Sequence, residues 1–131
     1  MTLELQILGL AALLWAAQLL CLSVAANLKL DRDWLMGPRD EPRHLEGVTG
    51  RLQRALNNMT ESLLLFAVAV TVLEFADRSG GAVTEGCAVT YLVARLAYVP
   101  AYAFGLSPWR SVIWFIGFAA TLVMLFAGLL S

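Results

Sequence analysis

The stretch Arg51-Leu52-Gln53-Arg54-Ala55-Leu56-Asn57-Asn58-Met59-Thr60-Glu61 runs without a break into Ser62-Leu63-Leu64-Leu65-Phe66-Ala67-Val68-Ala69-Val70, and this junction decides the fold. The second part is apolar enough to sit in lipid. The first part carries Arg51, Arg54, Asn58 and Glu61 at spacings of 3, 4 and 3. At about 100° per residue these side chains fall within roughly 80° of one helix surface. Unpaired charge is costly in hydrocarbon, so such a stripe must face a partner, a cavity or a ligand.

The same arrangement recurs downstream. Tyr91, Arg95, Tyr98 and Tyr102 are spaced 4, 3 and 4 in a segment whose only other interruption is Pro100. Two further blocks are almost free of polar residues. Ile7–Ala26 has Gln18 and Ser23 as its clearly polar side chains, and Ser111–Ser131 has no charge. Each block is about the 20 residues that a helix needs to cross a hydrocarbon core of about 30 Å. With 131 residues, 60% of them hydrophobic, four spans leave room for little else. The expected fold is all-α: one integral membrane four-helix bundle over residues 1–131, with spans at about 5–27, 51–75, 84–105 and 108–130. The first block lacks a positive n-region and is too long for an h-region, so it reads as an uncleaved span.

Charge placement orients the bundle. Lys29, Arg32, Arg39, Arg43 and Arg51 lie between spans one and two, and Arg110 marks the start of span four. The connection between spans two and three holds only Arg78, beside Glu74, Asp77 and Glu85. The positive-inside rule then places the first and third connections in the cytoplasm and both termini outside. The first connection, 27–50, contains Gly37-Pro38, Pro42 and Gly47 and reads as a solvated loop, or as a lid over a cytoplasm-facing site.

Several function classes are excluded. A net charge of −1 gives no footprint for nucleic acid. His44 is the single histidine, and Cys21 and Cys87 are far apart, so no metal site is expected; the cysteines read as small packing residues. There is no glycine-rich phosphate loop, no HExxH and no Ser/His/Asp set. A transporter or channel is a weaker reading rather than an excluded one, because the chain has no inverted repeat and no pair of broken helices around a midplane site. A reaction in this chain must use a cosubstrate as nucleophile.

The two stripes can be laid side by side. Spans two and three are joined by a short turn, so they run antiparallel. Counted in from the cytoplasmic ends at about 1.5 Å per residue, Arg54 is level with Tyr102, Asn58 with Tyr98 and Glu61 with Arg95. The expected buried pair is Glu61 with Arg95. Towards the cytoplasm stand Arg51, Arg54, Asn58, Tyr98, Tyr102 and Arg110, a donor-rich set suited to an anion with several hydrogen-bonding groups, such as a peptide carboxylate. Gln18 is expected to form an interhelical hydrogen bond, Tyr91 to pack with its hydroxyl bonded, and Ser107-Pro108 to cap span four.

These motifs resemble a known family. Residues 51–61 look like the RxxRAxxNxxE signature of the MAPEG family, membrane-associated proteins in eicosanoid and glutathione metabolism. Ala94-Arg95-Leu96-Ala97-Tyr98-Val99-Pro100-Ala101-Tyr102, followed by Arg110-Ser111, resembles that family's ARxxYxxxY run and the start of its fourth helix. The resemblance covers nearly the whole chain. It implies a homotrimer in contact with the lipid bilayer, and glutathione as cosubstrate between subunits near the cytoplasmic side. It places Arg51, Arg54, Asn58, Glu61, Arg95, Tyr98 and Tyr102 at the glutathione, with Arg110 stabilising the thiolate and Ser111 beside it. Leu56, Asn57 and Tyr98 depart from the pattern of some members, and Tyr98 stands where the prostaglandin synthase has His. The run Gly37-Pro38-Arg39-Asp40-Glu41-Pro42 looks bacterial in style, which implies a bacterial inner membrane. The implied function is a glutathione-dependent transferase or peroxidase acting on a small lipophilic electrophile. The alternative is a non-catalytic member whose polar stripes serve helix packing and trimer assembly. Arg110 separates the two, because packing has no need of a cation at the head of span four.

Overall fold

The computed structural model describes residues 1–29, 47–103 and 108–130. Their four helices are α1 (Leu3–Lys29), α2 (Gly47–Phe75), α3 (Ala82–Ala103) and α4 (Trp109–Leu129). Each is long and apolar enough to cross a membrane. The four-helix membrane bundle expected from the sequence is therefore what forms. α1 and α2 extend further into the first connection than expected, to Lys29 and from Gly47. The rest of that connection, His44 with it, and the turn at Leu106-Ser107 lie outside the described residues.

α1 and α3 run one way, and α2 and α4 the other. α1 and α4 each pack on both α2 and α3. Ile7 and Ala11 of α1, Met59, Phe66, Ala69, Val70 and Leu73 of α2, Ala88 and Tyr91 of α3, and Met124 of α4 form the core. In lipid, apolar side chains gain little from leaving the solvent, so close packing and interhelical hydrogen bonds hold the helices. Small residues permit the approach: a Cβ on Gly117 would meet the Ala94 Cβ at 3.5 Å, and one on Gly128 would meet Val72 Cγ1 at 2.7 Å. Across α1 and α2, the Trp15 indole donates to Thr60 Oγ1 at 2.8 Å.

The turn from α2 to α3 has defined chemistry. Asp77 takes a left-handed φ of 57°, and the N–H groups of Asp77 and Arg78 donate back to the carbonyls of Glu74 and Leu73. That pattern closes a helix C-terminus as a Schellman motif. Gly80, with φ 86°, completes the reversal. The head of α1 docks on this turn: Glu4 Oε2 accepts from the Gly80 N–H and the Thr84 hydroxyl, each at 2.7 Å, and the Thr2 hydroxyl donates to the Glu74 carboxylate.

α3 continues through Pro100, which is exposed on its surface. α4 differs from expectation at its start. Pro108, not Ser107, occupies the cap position, and no side chain caps it. Its carbonyl accepts from Ser111 N and Val112 N at 3.0 and 3.3 Å, which joins the proline directly to the first turn.

Candidate functional site

The helix ends opposite the α2–α3 turn hold the polar stripes. Arg54 Nε donates to the Tyr102 hydroxyl at 3.2 Å, so the outermost rung matches the antiparallel count. Tyr102 lies edge-tilted beside Tyr98, with ring centroids 5.6 Å apart. Arg110, at the head of α4, sets its guanidinium 4.9 Å from the Tyr102 ring centroid. Residues of α2, α3 and α4 far apart in sequence thus converge.

The deepest charged rung departs from the count. Arg95 is only 2% exposed, and its Nη1 donates to Asn58 Oδ1 at 2.9 Å. Its Nε donates to Met59 Sδ at 3.3 Å. Among the described residues Arg95 forms no ion pair with Glu61, which is exposed. The reason is the length of the side chain. Arg95 lies level with Glu61 at the backbone, but its guanidinium turns along α3 to within 4.3 Å of the Tyr98 ring. That carries it about one helical turn away from the α2–α3 turn, where Asn58 waits. There the cation lies over a tyrosine face, a contact worth up to about 2 kcal/mol when desolvated.

Two adjoining cavities open beside these residues. The outer one is lined by Asn58, Tyr98, Arg110, Ser111, Trp114 and Phe115. The inner one extends between α2 and α4 past Glu61, Ser62, Leu65, Arg95 and Phe118 to Thr121. Asn58 and Trp114 belong to both walls. The inner cavity, about 170 Å³, is close to the size of an engineered apolar cavity that admits benzene. That volume matches a single ring or one amino-acid-sized group.

Of the residues singled out from sequence, Asn58, Tyr98, Arg110 and Ser111 meet at the outer cavity, and Asn58, Glu61 and Arg95 at the inner one. Arg51, Arg54 and Tyr102 line neither. Arg54 and Tyr102 hold each other at the margin, and half-buried Arg51 stands at the start of the stripe. Tyr91 behaves as expected: its hydroxyl shares a 2.7 Å hydrogen bond with Ser62, and its ring stacks on Phe66 at 4.0 Å.

Sequence reasoning missed Trp114, Phe118 and Thr121. Trp114 and Phe118 stack at 5.1 Å, with 8° between their planes, and form the α4 wall of the inner cavity. A signal was available: Arg110, Trp114, Phe118 and Thr121 are spaced 4, 4 and 3, the helical spacing that marked the other two stripes. Aromatic residues are so common in membrane spans that the pattern did not stand out.

The arrangement presents cationic and hydroxyl donors at the mouth opposite the α2–α3 turn, with an aromatic slot behind. Such a site can hold a polar anion at its mouth and an apolar group inside. No curated protein matches the chain. A family model described as the MAPEG family matches residues 7–130, taking in both cavities and nearly all of the four helices, and the chain accordingly belongs to the MAPEG family and is an integral, multi-pass membrane protein.

Proposed function

We propose that this protein is a membrane-embedded, glutathione-dependent transferase or peroxidase acting on small lipophilic electrophiles. The observation that carries this reading is the shared wall of the two cavities: Asn58 and Trp114 join a mouth holding Arg110 and Ser111 to a slot lined by Leu65 and Phe118. Family membership supports the choice of glutathione as cosubstrate.

Glutathione supplies the nucleophilic sulfur in this chemistry. Arg110 holds negative charge on that sulfur, aided by the backbone N–H groups of the first turn of α4, whose helix N-terminus itself favours an anion. Ser111 offers a hydroxyl donor. Asn58, Tyr98 and the margin residues Arg51, Arg54 and Tyr102 orient the peptide, and Glu61 provides an acceptor for its ammonium group. Arg95 acts from behind through Asn58. The electrophile enters from the bilayer, which concentrates lipophilic molecules beside the spans.

In this reading the subunits form a homotrimer, which gives exposed Glu61 and Arg54 a neighbouring subunit to face. The protein resides in a bacterial inner membrane with both termini outside. The test is thermal: millimolar glutathione should raise the melting temperature of the detergent-purified protein, since a ligand of the folded state stabilises it by mass action. An unchanged melting temperature across a titration, with no turnover of a chlorodinitrobenzene, rejects the reading in favour of a non-catalytic member.

A further inference from the structure

Gln18 was expected to hydrogen-bond across the bundle, and it does not do so directly. It is buried at 5% exposure, and both its Nε2 and its Oε1 are buried without a partner. One other side-chain donor in the interior shares that condition, Arg95 Nη2. With Glu4 Oε1 there are four such atoms among the described residues, and an unsatisfied buried polar group costs about 1–3 kcal/mol, so they call for a physical account.

Helix geometry puts Gln18 and Arg95 at one depth in the bundle. α1 and α3 run parallel, and their register is fixed where Glu4 meets Thr84. Arg95 lies eleven residues beyond Thr84, a rotation that returns to the same face within about 20°. It therefore stands on the face of α3 that carries Thr84, whose hydroxyl meets Glu4 of α1. Eleven residues beyond Glu4 is Trp15, and the Arg95 guanidinium turns one further helical turn, towards Tyr98. α1 presents Gln18 at that depth. Gln18 belongs to the inward stripe of α1, with Glu4, Ile7, Ala11 and Leu22 all buried. Met59 closes the third side, on Arg95 Nε.

We propose that Gln18 and Arg95 are joined through ordered water inside the bundle, and that Gln18 is a positioning residue for the guanidinium. Water accepts from Arg95 Nη2 and donates to Gln18 Oε1. A site with several polar partners is the kind that holds internal water. Asn58 on Nη1 and water on Nη2 then fix the guanidinium from opposite sides. That keeps the Asn58 amide set in the wall of both cavities. The consequence for ligand affinity rests on the glutathione reading, but the bridge itself does not.

The test uses the full-length protein in detergent and measures melting without glutathione. Gln18→Glu places a carboxylate opposite the guanidinium. With Arg95 present, Gln18→Glu should melt at or above the wild-type temperature. In an Arg95→Met background it should melt below the Arg95→Met parent by several degrees, because its charge is then buried alone. Gln18→Leu should melt several degrees below wild type, since it strands Nη2, and should be neutral or stabilising in the Arg95→Met background. If Gln18→Glu in the otherwise native chain lowers melting, or if Gln18→Leu raises it, the bridge does not exist. The first arm needs only one variant, so failure of Arg95→Met to fold leaves the test intact. A further readout separates positioning from packing: Gln18→Leu should raise KM for glutathione about tenfold while kcat changes less than twofold, and Gln18→Glu should restore KM. Equal losses in both variants overturn the positioning role. Absence of any glutathione effect on wild type instead overturns the functional reading and leaves the melting result standing.

Discussion

Replacing Arg110 with alanine should lower turnover of a chlorodinitrobenzene by about 10²-fold while leaving the fold nearly as stable as before. The structure sets both expectations. Arg110 is half-buried, lines the outer cavity, and holds the Tyr102 ring at 4.9 Å. A sulfur anion in that cavity would sit at a comparable distance of roughly 5 Å from the guanidinium. At an effective dielectric constant of about 20, unit charges at that distance attract by about 3 kcal/mol. That corresponds to a little over two powers of ten, in the range measured for loss of one preorganised electrostatic donor. For the fold, Arg110 contributes a cation–π contact near the membrane surface, about 0.5–1 kcal/mol, so melting should fall by only a few degrees. Arg110→Lys should keep most of the charge and regain part of the rate. The assay is steady-state turnover at saturating glutathione, with ultraviolet difference spectra reporting the thiolate fraction. An alanine variant that retains half the wild-type kcat, with its thiolate band intact, would show that the charge on the sulfur is held by something else.

Other expectations follow from particular contacts. A double-mutant cycle between Asn58 and Arg95 should show coupling of about 1–3 kcal/mol, because a hydrogen bond to a charged, buried group is lost, while the cycle between Glu61 and Arg95 in the monomer should be near zero. The reverse ranking, measured by denaturant unfolding in detergent, would restore the pairing expected from the sequence. Gly128→Ala should destabilise the bundle by about 1–3 kcal/mol, because its Cβ meets Val72 Cγ1 at 2.7 Å, and Val72→Ala should recover most of that loss. With Cys21 and Cys87 replaced, a cysteine introduced at Ser79 should react with an impermeant maleimide added outside intact cells; labelling only after lysis reverses the proposed topology.

The bundle was legible because lipid imposes a simple rule. Backbone groups must be satisfied within each span, so a run of about 20 apolar residues is already a helix and four runs are already a bundle. The outer rung was legible for the same reason: Arg54 and Tyr102 stand near helix ends, and a straight count along two antiparallel helices puts them together. Arg95 was misplaced because a count of backbone levels treats side chains as perpendicular to the axis. A guanidinium on a three-carbon stem reaches a full turn along the helix, and the ring of Tyr98 draws it that way. Trp114 was missed for a different reason. Its role depends on which face of α4 turns to α2, and the 4, 4 and 3 spacing of Arg110, Trp114, Phe118 and Thr121 that marks this face is carried mostly by aromatic residues, which a uniformly apolar span does not set apart.

Arg95 and Glu61 illustrate how a membrane protein divides its buried charge. A cation buried between α2 and α3 gives specificity to the packing, since few alternative arrangements could offer it an amide, a thioether and an aromatic face together. Pairing it with Glu61 would have neutralised both groups and left the cavity without an anionic acceptor. With Asn58 in that place, the cation is held by a neutral group, and the carboxylate remains at the wall, about one turn further into the membrane. An unpaired carboxylate at that depth is costly unless a ligand or a neighbouring subunit meets it. On the glutathione reading proposed above, the Asn58 amide that holds Arg95 leaves the Glu61 carboxylate at the cavity wall to meet the ammonium group of the ligand.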